Sequence, residues 1–169
     1  MAFTKLHETN ITSSTSLVTM DNIFDDTFDT YEMFVNQYGS SVDNKNLRYQ
    51  LIHDDGNTNT DSDYRYGNYF QYSEGGYFQQ YSNGTSLGFA GYATTAEQAS
   101  GQFQLNGFRT ANSKFVLGKS SGTIKGTYTY HYGTMYSTMI NDTRKVRGLK
   151  FFITSGNIRS LRVRIYGVS

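Results

Sequence analysis

Towards the end of the chain, apolar and polar residues alternate. Leu161, Val163 and Ile165 point to one face of an extended segment, and Arg162, Arg164 and Tyr166 to the other. The same period of two recurs upstream, in segments bounded by Gly, Asn, Asp and Ser. It predicts strands over Lys5–Ile11, Ser16–Met20, Tyr31–Tyr38, Asn46–Ile52, Tyr64–Tyr72 and Tyr77–Tyr81. Further strands are predicted over Ser86–Tyr92, Gly101–Phe108, Lys114–Leu117, Thr123–Tyr132, Lys145–Thr154 and Leu161–Val168. The alternation assigns Tyr31, Met33 and Val35, then Leu47, Tyr49 and Leu51, to the interior. Phe103, Leu105, Leu149, Phe151, Ile153, Leu161, Val163 and Ile165 continue that interior set. Phe34 falls on the opposite face, which leaves the phase of its strand open. A short turn of helix is expected in DDTFDTYE (25–32). No long stretch carries apolar residues at helical spacing.

So many strands exceed what one small open sheet holds, so two packed antiparallel sheets are expected, an all-β sandwich of jelly-roll type. The 169 residues fit one domain (1–169), with 1–13 as a first strand or attachment arm. The chain has 15 Tyr, 12 Phe and 17 Gly but no Pro, Cys or Trp, which suits aromatic strands and excludes disulfides and thiolate chemistry. No export signal is recognised at the N-terminus, and no run reaches the roughly 20 apolar residues of a membrane helix.

A formal net charge of +1 conceals a strong polarity. Residues 1–100 hold 13 acidic and 4 basic side chains; residues 101–169 hold 1 acidic and 11 basic. Three readings are open: a charged partner, pairing of the two parts within one chain, or contact between subunits. RKVRGLK (144–150) is the densest basic run, yet no nucleic-acid motif accompanies it, and a solvated or subunit-facing strip is the expectation. Arg159, Arg162, Arg164 and Tyr166 are the candidate interface. They are expected to meet acidic side chains or carbonyls of an adjacent subunit and to guard an edge strand against unwanted pairing.

Other candidate chemistry is sparse. In DDGNTNTDSD (54–63), Asp55, Asn57, Asn59, Asp61 and Asp63 alternate as calcium ligands do, but the Gly and Glu that an EF-hand loop needs are missing. A polar hairpin loop is the plainer reading. YRYGNYFQYSEGGYFQQY (64–81) offers Tyr64, Tyr66, Tyr69, Tyr72, Tyr77 and Tyr81 as glycan-stacking or subunit-interface aromatics. TYTYHYGTMY (127–136) places Tyr128, Tyr130 and Tyr132 on a second such face. His7, His53 and His131 form no metal-binding pair. His53-Asp54 would orient an imidazole, but no serine nucleophile signature accompanies it. No catalytic residue and no cofactor are expected.

Several landmarks then follow in order: the opening MAFTKLHETNITSSTSLVTMDNIFDDTFDTYEMFV, the middle NLRYQLIHDDGNTNTDSDYRY, and the ending GLKFFITSGNIRSLRVRIYGVS. Together they resemble small structural proteins of tailed-bacteriophage virions, of tail-fibre and tail-tip type. The resemblance implies a β-sandwich, often homotrimeric, built into a virion beside other virion proteins, and no catalytic residues. The expected role is structural, contributing to host attachment through a host-surface glycan, with no nucleic-acid or membrane partner. A capsid decoration protein and a carbohydrate-binding module are the alternatives.

Overall fold

The computed structural model describes residues 2–61, 63–72, 75–125 and 129–169, with side chains except those of 72, 77, 81–83, 89–91, 124–125, 129–130, 132 and 136. Twelve strands follow one another: β1 (Phe3–Ile11), β2 (Leu17–Met20), β3 (Thr30–Ser40), β4 (Lys45–His53), β5 (Tyr64–Tyr72), β6 (Gly75–Gly84), β7 (Leu87–Ala93), β8 (Ala99–Asn106), β9 (Lys114–Lys125), β10 (Thr129–Ile140), β11 (Val146–Phe152) and β12 (Ile158–Val168). They form an eight-stranded sheet, ordered β1-β12-β3-β8-β9-β10-β5-β6, and a four-stranded sheet, ordered β2-β11-β4-β7. Every neighbouring pair is antiparallel. The expected all-β, two-sheet antiparallel architecture is the one observed.

Without β5, β6, β9 and β10, the body reduces to β1-β12-β3-β8 against β2-β11-β4-β7. The successive pairs β1/β2, β3/β4, β7/β8 and β11/β12 each place one strand in each layer. The inserted β5–β6 and β9–β10 hairpins add to the larger sheet alone.

The inward residues of both sheets form one apolar cluster. Tyr31, Met33, Val35, Phe103, Leu105, Val163 and Ile165 come from the larger sheet; Met20, Leu47, Tyr49, Leu51, Leu149 and Phe151 come from the smaller. Each fully buried side chain of this kind contributes about 1.5–3 kcal/mol over its exposed state. Every interior position expected from alternation is buried, Ile153 included.

The phase of β3 is resolved by a bulge. Val35 points inward, but so does Tyr38, three residues later. Register against β8 shifts between Asn36 and Tyr38, and Gln37 sits at φ 85°. One extra residue in the left-handed region turns the strand by half a period. Strict alternation would have put Tyr38 in solvent. Instead its hydroxyl donates to Lys45 O at 2.9 Å.

Two expectations are corrected. Residues 25–32 hold no helical turn: Thr27 N donates to Asp25 Oδ1 at 2.9 Å, and Tyr31 OH to Asp25 O at 2.6 Å, so the side chains fix a turn. Burial pushes the Tyr31 phenol up to about 12. Thr123–Tyr132 is not one strand. β9 continues through the Gly- and Ser-containing stretch 118–122, which lies between two of the expected strands, and ends at Lys125; β10 begins at Thr129.

Gly118 sits inside β9 because a neighbour needs the space. A Cβ there would lie 2.3 Å from Phe103 Cδ1 and 2.4 Å from Gln102 O. Gly118→Ala is expected to destabilise the fold by about 1–3 kcal/mol in urea denaturation, through overpacking against a buried ring. At Gly133 the nearest atom to a Cβ is Ser120 O at 4.0 Å. Gly133→Ala is therefore expected to stay within about 0.5 kcal/mol of the parent. Equal effects of the two would refute the packing role of Gly118.

Candidate functional site

Much of the charge polarity resolves within the chain. Four connections meet at one end of the sandwich: those following β2, β4, β8 and β10. Asp26 accepts from Arg109 Nε at 3.0 Å and Lys145 Nζ at 3.1 Å. Asp21 accepts from Arg147 through two bonds of 2.8 and 2.7 Å. Arg109 also reaches Asp54, and Arg144 reaches Asp61 at 3.1 Å. In each pair the acid comes from the first hundred residues and the base from the rest. Arg147 holds the Asp21 carboxyl below its ordinary range, and Arg109 with Lys145 does the same for Asp26. Exposed pairs of this kind each contribute little, so their effect is collective.

Beneath this network lies a buried one. His53 Nε2 and Asp142 Oδ2 are 2.6 Å apart, and Asn59 Nδ2 donates to the same oxygen at 2.5 Å. Arg144 reaches the other oxygen, Oδ1, from its backbone N at 2.9 Å and its Nε at 3.0 Å. Burial alone would raise the Asp142 carboxyl, but the bonds from Arg144 and His53 outweigh it and the net direction is down. The expected His53-Asp54 orientation is corrected: Asp54 turns outward to Arg109, and the imidazole is held by a residue 89 positions away. Both partners are buried, which suits an internal lock joining two loops.

The alternating acids of 54–63 do not converge. Asp55 accepts from Asn57 N at 2.9 Å, Asn59 Oδ1 accepts from Asp61 N at 2.9 Å, and Asp61 pairs with Arg144. Asp63 Oδ2 is 3.4 Å from Asn59 Nδ2. Among the described residues, no three His or carboxylate side chains gather where a metal ion would sit. Asp142→Ala is expected to destabilise the chain by about 3 kcal/mol in denaturant titration, because it strips the partner from a buried His and Asn. A change under about 1 kcal/mol would deny the lock.

The terminal strand is not an edge. β12 lies between β1 and β3, so its arginines have no edge to guard. Nor do they stand free. Arg162 reaches Glu8 Oε1 through Nε at 2.9 Å and Nη2 at 2.7 Å, and Arg164 Nε reaches the same oxygen at 3.1 Å. Arg159 donates to Thr95 O. Tyr166 packs edge-on against Phe3 at 6.4 Å and Phe34 at 5.7 Å. The candidate interface residues thus have partners in their own chain, chiefly the strand formed by residues 3–11.

Lys5, Arg162 and Arg164 lower the Glu8 pKa from 4.5 to about 2. A depressed carboxylate pKa stabilises above the unfolded value and loses that contribution as pH falls through the folded one. Amide-exchange protection of β1 is therefore expected to drop between pH 4.5 and 2. The drop should be absent in Glu8→Gln. The same step in both proteins would remove Glu8 as the cause.

Across the outer face of the larger sheet, one cross-strand row runs Glu8, Arg164, Phe34, Gln102, Lys119, Met135, Tyr69, Phe78. It begins charged and ends apolar. Met135 is 70% exposed and Phe78 65%, and Phe115 and Leu117 lie exposed on the same face of β9. Near the middle, a trough of about 500 Å³ runs over Ser100, Ser121 and Gly133, with Phe34, Tyr69 and Met135 along its sides.

Of the six candidate aromatics, Tyr69 is on this face. Tyr64 is removed from candidacy: it is fully buried, donates to Asn59 O at 3.1 Å and accepts from Leu51 N at 3.1 Å. Tyr66 packs partly buried against the core. The side chains of Tyr72, Tyr77 and Tyr81 lie outside those described, as do those of Tyr130 and Tyr132, and Tyr128 lies outside the described residues. Met135, Phe78, Phe115 and Leu117 were not singled out from sequence, although alternation along β9 and β10 carried the signal. Comparison with protein-family models, curated proteins and solved structures finds no match.

Proposed function

We propose that the chain is a structural component of a tailed-bacteriophage particle, a jelly-roll sandwich of the tail or fibre that assembles as a homotrimer and docks to neighbouring virion proteins. The pairing of four-strand layers, β1-β12-β3-β8 against β2-β11-β4-β7, with sequential strands split between them, supports the jelly-roll reading. The ordered landmarks of the sequence point the same way. The observation that carries the docking role is the outer face of the larger sheet, where Met135, Phe78, Tyr69, Phe115 and Leu117 stand exposed together. Apolar and aromatic clustering of this kind marks contact surfaces.

The subunit contact in this reading is apolar, since the exposed side chains that carry it are Met135, Phe78, Tyr69, Phe115 and Leu117. It is therefore expected to resist salt. Light scattering should give three times the 19.1 kDa chain mass, unchanged in 1 M NaCl. Met135→Lys with Phe78→Lys should give monomer with an intact fold. A monomeric parent, or a trimer that the double variant leaves intact, would refute this contact.

The particle itself is tested by mass spectrometry of purified virions from the encoding source, with a C-terminal tag for imaging. The chain should be present, with label at the tail vertex. Label over the whole shell would replace the tail reading with capsid decoration. Absence from particles would overturn the virion reading.

A further inference from the structure

At one corner of the sandwich, a cavity of about 300 Å³ lies between the β5–β6 hairpin and the β4–β7 edge of the smaller sheet. Asn46 and Arg48 enter it from β4, on the face opposite the core residues Leu47 and Tyr49. Asn68 enters from β5, and Tyr66 and Tyr92 contribute rings. Asn46 Oδ1, Arg48 Nε and Asn68 Oδ1 are all buried and have no hydrogen-bond partner among the described residues. Asn68 is only 3% exposed.

Buried polar atoms are almost always paired, and an orphan forfeits its hydration without compensation. Three around one cavity point to a ligand. The space is roughly ten times the share of one water molecule in the liquid. It stands at the lower end of ligand-pocket volumes and fits one small ring.

The orphans also specify the chemistry. Two amide oxygens require donors, and a guanidinium N–H requires an acceptor. Hydroxyl groups supply both. A fully deprotonated inorganic anion such as sulfate offers acceptors only and would leave Asn46 and Asn68 unmet. Arg48 and Lys45 are the charged residues among the described lining, and none of that lining is acidic. The Tyr66 and Tyr92 rings offer apolar surface to ring C–H groups.

We infer that this cavity binds one ring of an acidic saccharide, a hexuronate. Its hydroxyls donate to Asn46 Oδ1 and Asn68 Oδ1, an oxygen accepts from Arg48 Nε, and its carboxylate lies towards Arg48 and Lys45. The site belongs to the single chain and does not depend on deployment in a particle.

The test is an NMR titration of the full chain, following the side-chain amides of Asn46 and Asn68. The probes are D-glucuronate and D-galacturonate, with glucose, galactose and acetate as comparators. A saturable shift with a hexuronate is expected, at least tenfold tighter than with its neutral parent or acetate. Asn68→Leu should weaken binding at least tenfold while holding or raising the melting temperature, because the wild-type oxygen is unpaired in the free chain. Arg48→Leu should erase the preference for the acid over the neutral sugar. No saturable shift with either hexuronate would overturn the site. Equal response to acetate or to the neutral sugars would overturn the assigned class. A lower melting temperature in Asn68→Leu with binding unchanged would show Asn68 to be structural only.

Discussion

The fold depends on one topological constraint: β12 must insert between β1 and β3. Only then do Leu161, Val163 and Ile165 enter the core beside Met33 and Val35, and only then does Glu8 meet Arg162 and Arg164. The larger sheet therefore closes through pairings between residues at least 118 positions apart. Such a topology bears its loop-closure entropy before non-local contacts return stability, which predisposes it to slow folding. The segregation of acids into the first part and bases into the last gives these distant segments mutual attraction. The same complementarity operates at the loop end, through Asp21, Asp26, Asp54 and Asp61.

That internal pairing shapes what the surface offers. With its charges turned onto each other, the chain presents its larger sheet as a graded face, ionic at β1 and apolar at β5 and β6. The inserted hairpins β5–β6 and β9–β10 create this apolar end, and the eight-strand body would be complete without them. The β5–β6 hairpin also forms the cavity wall that holds Asn68. The features assigned to docking and to ligand thus lie on or beside strands added to the eight-strand body, whose inward residues Tyr64, Val116 and Ile140 extend the core. Their outward-facing side chains can change at low structural cost, as is common at binding surfaces.

Much of the fold was legible because a two-residue period reports directly which side chains face inward. The interior sets on β3, β4, β8, β11 and β12 follow from it without knowledge of partners. What failed was local geometry or long-range pairing. Gln37 takes a bulge that no alternation signals. Gly118 has a composition that mimics a turn, and only the Phe103 ring across from it explains its place in a strand. The candidate site was less legible for the same reason. His53 takes Asp142 rather than its neighbour Asp54, and Arg162 takes Glu8 from the far end of the chain. Register decides such partners, and spacing along the chain does not reveal register. The orphaned atoms of Asn46, Arg48 and Asn68 come from two strands in different sheets and leave no motif.

The most direct measurement is the set of cross-strand NOEs from Val163 in isotope-labelled protein. Its backbone should show contacts to Thr9 on one side and to Val35 on the other. Contacts to only one of these, or a Val163 amide that exchanges freely with solvent, would contradict the inserted terminal strand and the charge pairing built on it.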